Sequence, residues 1–161
     1  MISAGYRFSC GIEKANRRMH CWGDDSQKQV SGWKTPAKKC RGNQLCHGLP
    51  EKTRWAFVAT IKFEPAEKAA ACGITKGTRQ LYCWGRNDRN VLQAWHLEEG
   101  KGCNRRAGLT KEGRWGVAGG REIHPPLEVC HGLSKKTKWQ TISLWRTQLC
   151  GIVQGSKKLY W

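Results

Sequence analysis

Three Cys-Gly-Ile triplets, each with an equivalent closing position nine residues beyond its Ile, constrain this chain more than any local propensity does. Cys10-Gly11-Ile12 leads to His20-Cys21-Trp22-Gly23, and Cys72-Gly73-Ile74 leads to Tyr82-Cys83-Trp84-Gly85. Cys150-Gly151-Ile152 leads to Tyr160-Trp161. Self-similarity at fixed spacing marks a repeat architecture, in which each unit is one supersecondary element that buries its apolar face against a neighbour. Aromatic-rich segments with turn residues between them read as strands and hairpins. The spacing therefore predicts an all-β repeat protein, not an enzyme built around one unique core.

Aligned on the triplet, the chain reads as one repeat domain over 1–161, with repeats at 1–54, 55–138 and 139–161. The first has its leading strand clipped, the second carries a long loop over 86–138, and the third is truncated. Ile2 and Ile142 each stand eight residues before their Cys, whereas the second repeat needs six extra residues around Glu64-Pro65-Ala66-Glu67 to keep that register. A Pro between two apolar runs places this insertion in the turn between strands. A full repeat opens on a Trp-led strand (Trp55, Trp139), rises through Cys-Gly-Ile and descends through a strand such as Leu81–Gly85. The descending turn centres on Gly77-Thr78, which suits a two-residue hairpin loop.

Residues 72 and 83 are equidistant from that centre, and residues 10 and 21 from Ala15-Asn16, so Cys72 faces Cys83 and Cys10 faces Cys21. Directly opposed strand residues lie within disulfide range, and a two-residue loop puts these pairs at the wider, hydrogen-bonded spacing. Trp161 stands where the other repeats have their second Cys, which leaves Cys150 unpaired. A second repeated string, Cys46-His47-Gly48-Leu49 and Cys130-His131-Gly132-Leu133, has an upstream Cys in the same inter-repeat segment. Local pairing gives Cys40–Cys46 and Cys103–Cys130, with free thiols as the alternative. Zinc fits poorly: there is no Cys-x-x-Cys, and the neighbours in an extended Cys-His pair point to opposite faces.

Twenty-nine Lys and Arg against twelve Asp and Glu give a net charge of +17 in 161 residues. A field of that sign draws phosphate backbones or acidic proteins. Its placement repeats. The hairpin tips carry Lys14, Arg17 and Arg18, then Lys76 and Arg79, then Lys157 and Lys158. The residues before the leading Trp strands carry Lys52 and Arg54, then Lys135, Lys136 and Lys138. In an antiparallel meander both sets fall on one rim, where only Glu13 and Glu51 intrude. The long loop adds Lys101, Arg105, Arg106, Lys111, Arg114 and Arg121 among glycines and reads equally as a nucleic-acid track with Trp115 stacking on a base and as a flexible surface loop pinned by Cys103–Cys130. No apolar run reaches eighteen residues, so no membrane span is predicted. Met1-Ile2-Ser3 already lies inside a repeat, so a chain cut from something longer is expected and a lost targeting segment stays open. No nucleophile motif or recurring carboxylate pair is present, and neither catalysis nor a cofactor is expected.

The Trp-led strand, Cys72-Gly73-Ile74 and Leu81-Tyr82-Cys83-Trp84-Gly85 together resemble cysteine-bearing variants of the regulator-of-chromosome-condensation repeat. The likeness covers all three copies and lapses between them: Trp84-Gly85-Arg86-Asn87 keeps part of the family's step, and Trp22-Gly23-Asp24-Asp25 keeps less. The resemblance implies four-stranded antiparallel blades of a β-propeller, here two to three of them, as part of a longer propeller, an assembly with other chains, or an open arc. Members of that family serve as exchange factors for small GTPases, chromatin binders and protein scaffolds. The wedge behind exchange activity has no counterpart here.

Three functions follow. The leading one is a non-enzymatic binding or scaffold module whose basic rim contacts an acidic protein or a nucleic-acid backbone. The rival is a disulfide-stapled extracellular domain that recognises proteins or glycans through its loops, since paired cysteines favour a secretory or other oxidising compartment. A regulator of an enzyme or small GTPase stands third, by family analogy.

Overall fold

A computed structural model describes residues 1–61, 69–87, 92, 133–145 and 148–160. The described residues form ten strands in three antiparallel sheets, with one short 3-10 turn at Ala37–Lys39. The first sheet holds β1 (Ile2–Ala4), β2 (Phe8–Ile12) and β3 (Met19–Gly23). In the second, β5 (Trp55–Thr60), β6 (Ala70–Thr75) and β7 (Leu81–Arg86) are joined by β4 (Gln44–Leu45). The third holds β8 (Trp139–Trp145), β9 (Gln148–Val153) and β10 (Leu159–Tyr160).

Register is the same in all three sheets. The Gly of the triplet faces Ile2, Val58 and Ile142 in turn. Val58 therefore takes the place of Ile2 and Ile142, and the added residues of the second repeat fall between Thr60 and Ala70. Residues 62–68 themselves lie outside the described residues.

The meaning of the glycine follows from the leading strand. Both β5 and β8 carry a bulge directly after their Trp, and a bulge re-aims the side chain beside it. Each indole is thereby laid over its own triplet: a Cβ on Gly73 would stand 2.5 Å from Trp55 Cζ3, and one on Gly151 would meet Trp139 Cζ3 in the same way. Trp-Gly has a different logic. Gly23 ends β3 and Gly85 stands one residue before the end of β7, at φ of 108° and 103°, where a Cβ would also strike backbone opposite.

Alternation along β6 puts residues on opposite faces of the second sheet. Ala71, with Trp55, Val58 and Trp84, packs on Phe8, Cys10, Ile12 and Met19 of the first sheet. Ala70, Cys72 and Ile74 pack with Trp139, Ile142 and Leu144 of the third. The middle sheet is thus covered on both sides, and every residue of β6 is buried. At the β1 side, the Thr60 N–H donates to Ser3 Oγ at 3.1 Å and Tyr6 N–H to the Ile61 carbonyl at 3.2 Å.

Among the described residues only the second sheet shows four strands, and its fourth comes from ahead of the other three. Gln44 pairs with Arg86 and Leu45 with Gly85, so the segment between repeats supplies the outer edge. Among the described residues, the second sheet thus reaches the four strands expected from sequence by taking its outer strand from the segment ahead of Trp55.

Candidate functional site

The three hairpin tips share one conformation. Glu13 N–H donates to Arg18 O, Thr75 N–H to Gln80 O and Val153 N–H to Lys158 O, at 2.9 to 3.0 Å. Inside each ring the fourth loop residue donates back: Arg17 to Glu13, Arg79 to Thr75 and Lys157 to Val153, at 3.1 to 3.2 Å. Arg17, Arg79 and Lys157 are left-handed, at φ of 63°, 59° and 58°. The loops are thus four residues long, which corrects the two-residue hairpin that Gly77-Thr78 suggested. Adding two residues moves the hydrogen-bonded positions along by one, so Cys10–Cys21 and Cys72–Cys83 occupy the close, non-hydrogen-bonded sites. Their Cα atoms are 4.1 and 3.9 Å apart.

The left-handed residue also joins one repeat to the next. Trp55 N–H donates to the Arg17 carbonyl and Trp139 N–H to the Arg79 carbonyl, each at 2.8 Å. Lys76 N–H returns a bond to Arg54 O, and Gln154 N–H one to Lys138 O, again at 2.8 Å. Arg79 Nη2 adds a bond to the Gln140 carbonyl at 2.8 Å, and Lys157 Nζ one to Gln140 Oε1 at 2.6 Å. A ladder of bonds therefore runs from the first tip through residues 54–55, the second tip and residues 138–140 to the third tip.

Along this edge Lys14, Arg18, Lys52, Arg54, Lys76, Lys135, Lys136, Lys138, Lys157 and Lys158 are exposed, while Arg17 and Arg79 are half-buried. The two acids on the edge are engaged elsewhere. Glu51 holds Lys34 at 2.7 Å and Glu13 faces His20 at 3.7 Å. Hydrogen bonding from Lys34, together with its charge, keeps the Glu51 carboxyl below its ordinary range. Among the described residues, none of the ion pairs includes one of the twelve cations.

The Cys-His string serves the linker. Cys40 and Cys46 are joined, and the His47 Nε2–H donates to the Cys83 carbonyl at 2.7 Å while its ring meets Tyr82 edge-on. Burial pushes the His47 imidazole below its ordinary pKa; the Cys83 bond opposes this and the charge of Lys135 adds to it. No group of three or more metal-ligating side chains occurs among the described residues. Cys150 is a free, half-buried thiol, raised in pKa by burial. Cys103, Cys130, His131, Trp161 and the basic loop with Lys101, Arg105, Arg106, Lys111, Arg114, Trp115 and Arg121 lie outside the described residues.

One constellation escaped the sequence reading. The Asp25 carboxylate accepts Val30 N–H, Ser31 N–H and Ser31 Oγ–H at 2.6 to 2.9 Å. Burial pushes this carboxyl up, but the Ser31 and Val30 bonds and Lys28 outweigh it and hold it below its ordinary value. The loop so ordered places the Gln29 carbonyl 2.9 Å from the Trp84 indole N–H. The signal in the sequence was a Ser six residues after Asp25.

No family model matches the chain, so its likeness to the chromosome-condensation repeat rests on the motifs alone. Among solved structures it is similar to the ectodomain of the receptor kinase CR4 of Physcomitrella patens, at 15% identity and a TM-score of 0.46. That match covers 99% of this chain and 27% of the other. It is also similar to the CRINKLY WD40 ectodomain of the Arabidopsis thaliana receptor kinase ACR4, at 14% identity and a TM-score of 0.43, over 98% of this chain and 33% of the other. The chain thus spans between a quarter and a third of the length of either.

Proposed function

We propose that this chain is a non-enzymatic recognition module of propeller-type repeats, stapled by disulfides for an extracellular or other oxidising compartment, that binds a protein or glycan through its hairpin edge. One observation carries the reading: two successive sheets close the same cross-strand cysteine pair, and a third disulfide pins the linker between them. Disulfides persist in oxidising spaces and are rare where thiols are kept reduced. Repetition of the pair argues for a structural role, because each staple holds a hairpin that also latches the next repeat. The rim of exposed cations supports binding, since it repeats charge on long side chains along an edge that backbone bonds make continuous.

The test is a thiol count on denatured protein made through a secretory route. Nine cysteines, six of them in the three described disulfides, leave at most three titratable thiols. A count above three overturns the reading.

A further inference from the structure

We propose that the latched edge is a binding track for a linear polyanion of sulfated-polysaccharide chemistry, a step that rests on the oxidising-compartment reading above. The edge is continuous because backbone bonds make it so: Trp55 to Arg17, Lys76 to Arg54, Trp139 to Arg79 and Gln154 to Lys138. Packed sheets stand about 10 Å apart, so successive tips repeat on that scale. This is close to the Debye length of about 8 Å at physiological ionic strength. The fields of neighbouring tips therefore merge into one band, along which a polymer of regularly spaced anions is held at several points together.

The chemistry of the edge selects among polyanions. Readers of single-stranded nucleic acid stack bases on exposed aromatic faces. Among the described residues, the tryptophans that the edge bonds hold, Trp55 and Trp139, are 0% and 1% exposed and turned into the cores. Protein partners anchor on apolar or aromatic hot spots. Among the described residues the large exposed apolar side chains are Met1, Ile2, Trp22 and Leu159; Met1, bonded to Ile12, and Leu159 each stand singly beside a different tip, so they form no continuous apolar patch along the edge. What remains is charge on long side chains, with Glu13 and Glu51 drawn off to His20 and Lys34. A densely sulfated chain asks for no more than that.

The test titrates the oxidised full chain with heparin, a 20-residue polyglutamate and a DNA duplex, at rising salt. Heparin should bind most tightly and weaken steeply with salt through counterion release. The triple variant Lys14→Gln/Lys76→Gln/Lys136→Gln, one exposed cation from each of three stations along the edge, should bind heparin about 100-fold more weakly, at roughly fivefold per cation. The control Lys38→Gln/Lys39→Gln/Arg41→Gln removes the same charge from the segment leading into β4 and should cost less than about fivefold by the same scale. Equal losses in the two triples would show attraction to net charge and overturn the track. Polyglutamate or DNA binding as tightly as heparin would overturn the choice of ligand. The thiol count, made on the same samples, judges the compartment separately: more than three thiols sinks that reading, while the contrast between triples still decides whether the edge binds.

Discussion

The ring of Trp55 occupies the place where a side chain on Gly73 would begin, with Cζ3 and Cε3 2.5 and 2.6 Å from the position of its Cβ. Both residues are fixed: the indole is fully buried among Trp33, Tyr82 and Trp84, and Gly73 is paired on both sides, with Val58 and with Tyr82. Neither can retreat cheaply. Gly73→Ala should destabilise the protein by about 1–3 kcal/mol, the usual cost of overpacking. Gly77→Ala, in an exposed turn with nothing within 4 Å, should stay within about 0.5 kcal/mol. Urea midpoints of the two variants decide the matter; equal midpoints would refute it.

The second prediction concerns the staple between β6 and β7. Cys72 and Cys83 are 0% and 2% exposed and sit in the core shared by the second and third sheets. Cys72→Ala/Cys83→Ala should cost about 2–4 kcal/mol, chiefly by freeing the unfolded chain. Reduction of the wild type should lower its melting temperature, and the double variant should respond less to reductant.

How far all this was legible in the residues varies with the physics involved. The pairing of Cys72 with Cys83 was legible because it needs only the centre of the hairpin, and four-residue and two-residue loops share that centre. Its spacing was not, because loop length sets which pairs are hydrogen-bonded, and nothing in Lys76-Gly77-Thr78-Arg79 announces that the arginine, not the glycine, takes the left-handed conformation. The six-residue insertion was legible from register alone. The role of Gln44-Leu45 as an outer strand was not, since two residues carry no periodicity. The cationic tips were visible as composition, but their latching runs through backbone atoms of Arg17 and Arg79, which sequence does not distinguish from any others.

A third prediction turns on His47. Burial lowers its pKa, so the unfolded chain binds its proton more readily than the folded one does. The stability this contributes is fully present above the ordinary histidine value of about 6.5 and is lost as pH falls below it toward the depressed folded value. Urea melts between neutral and mildly acidic pH should show the wild type losing stability in this window. His47→Gln, which keeps a donor for the Cys83 carbonyl and does not titrate, should lose less. Parallel pH profiles would exclude His47 as the cause.

The last prediction compares two tryptophans that occupy the same position of successive repeats. Trp84 is fully buried and donates its indole N–H to the Gln29 carbonyl at 2.9 Å, under the loop that Asp25 orders. Trp22 is 52% exposed, because its face of the first sheet has no described neighbour over it. Trp84→Phe leaves a buried carbonyl without its donor, at about 1–3 kcal/mol, and opens a cavity besides, so a total of roughly 2–4 kcal/mol is expected. Trp22→Phe should cost less than about 0.5 kcal/mol, as exposed substitutions do. Asp25→Ala should mimic part of the Trp84 loss by releasing the loop that carries the Gln29 carbonyl. If Trp22→Phe proves as costly as Trp84→Phe, the face beneath Trp22 is covered in solution, and the unequal environments found for the two positions are wrong.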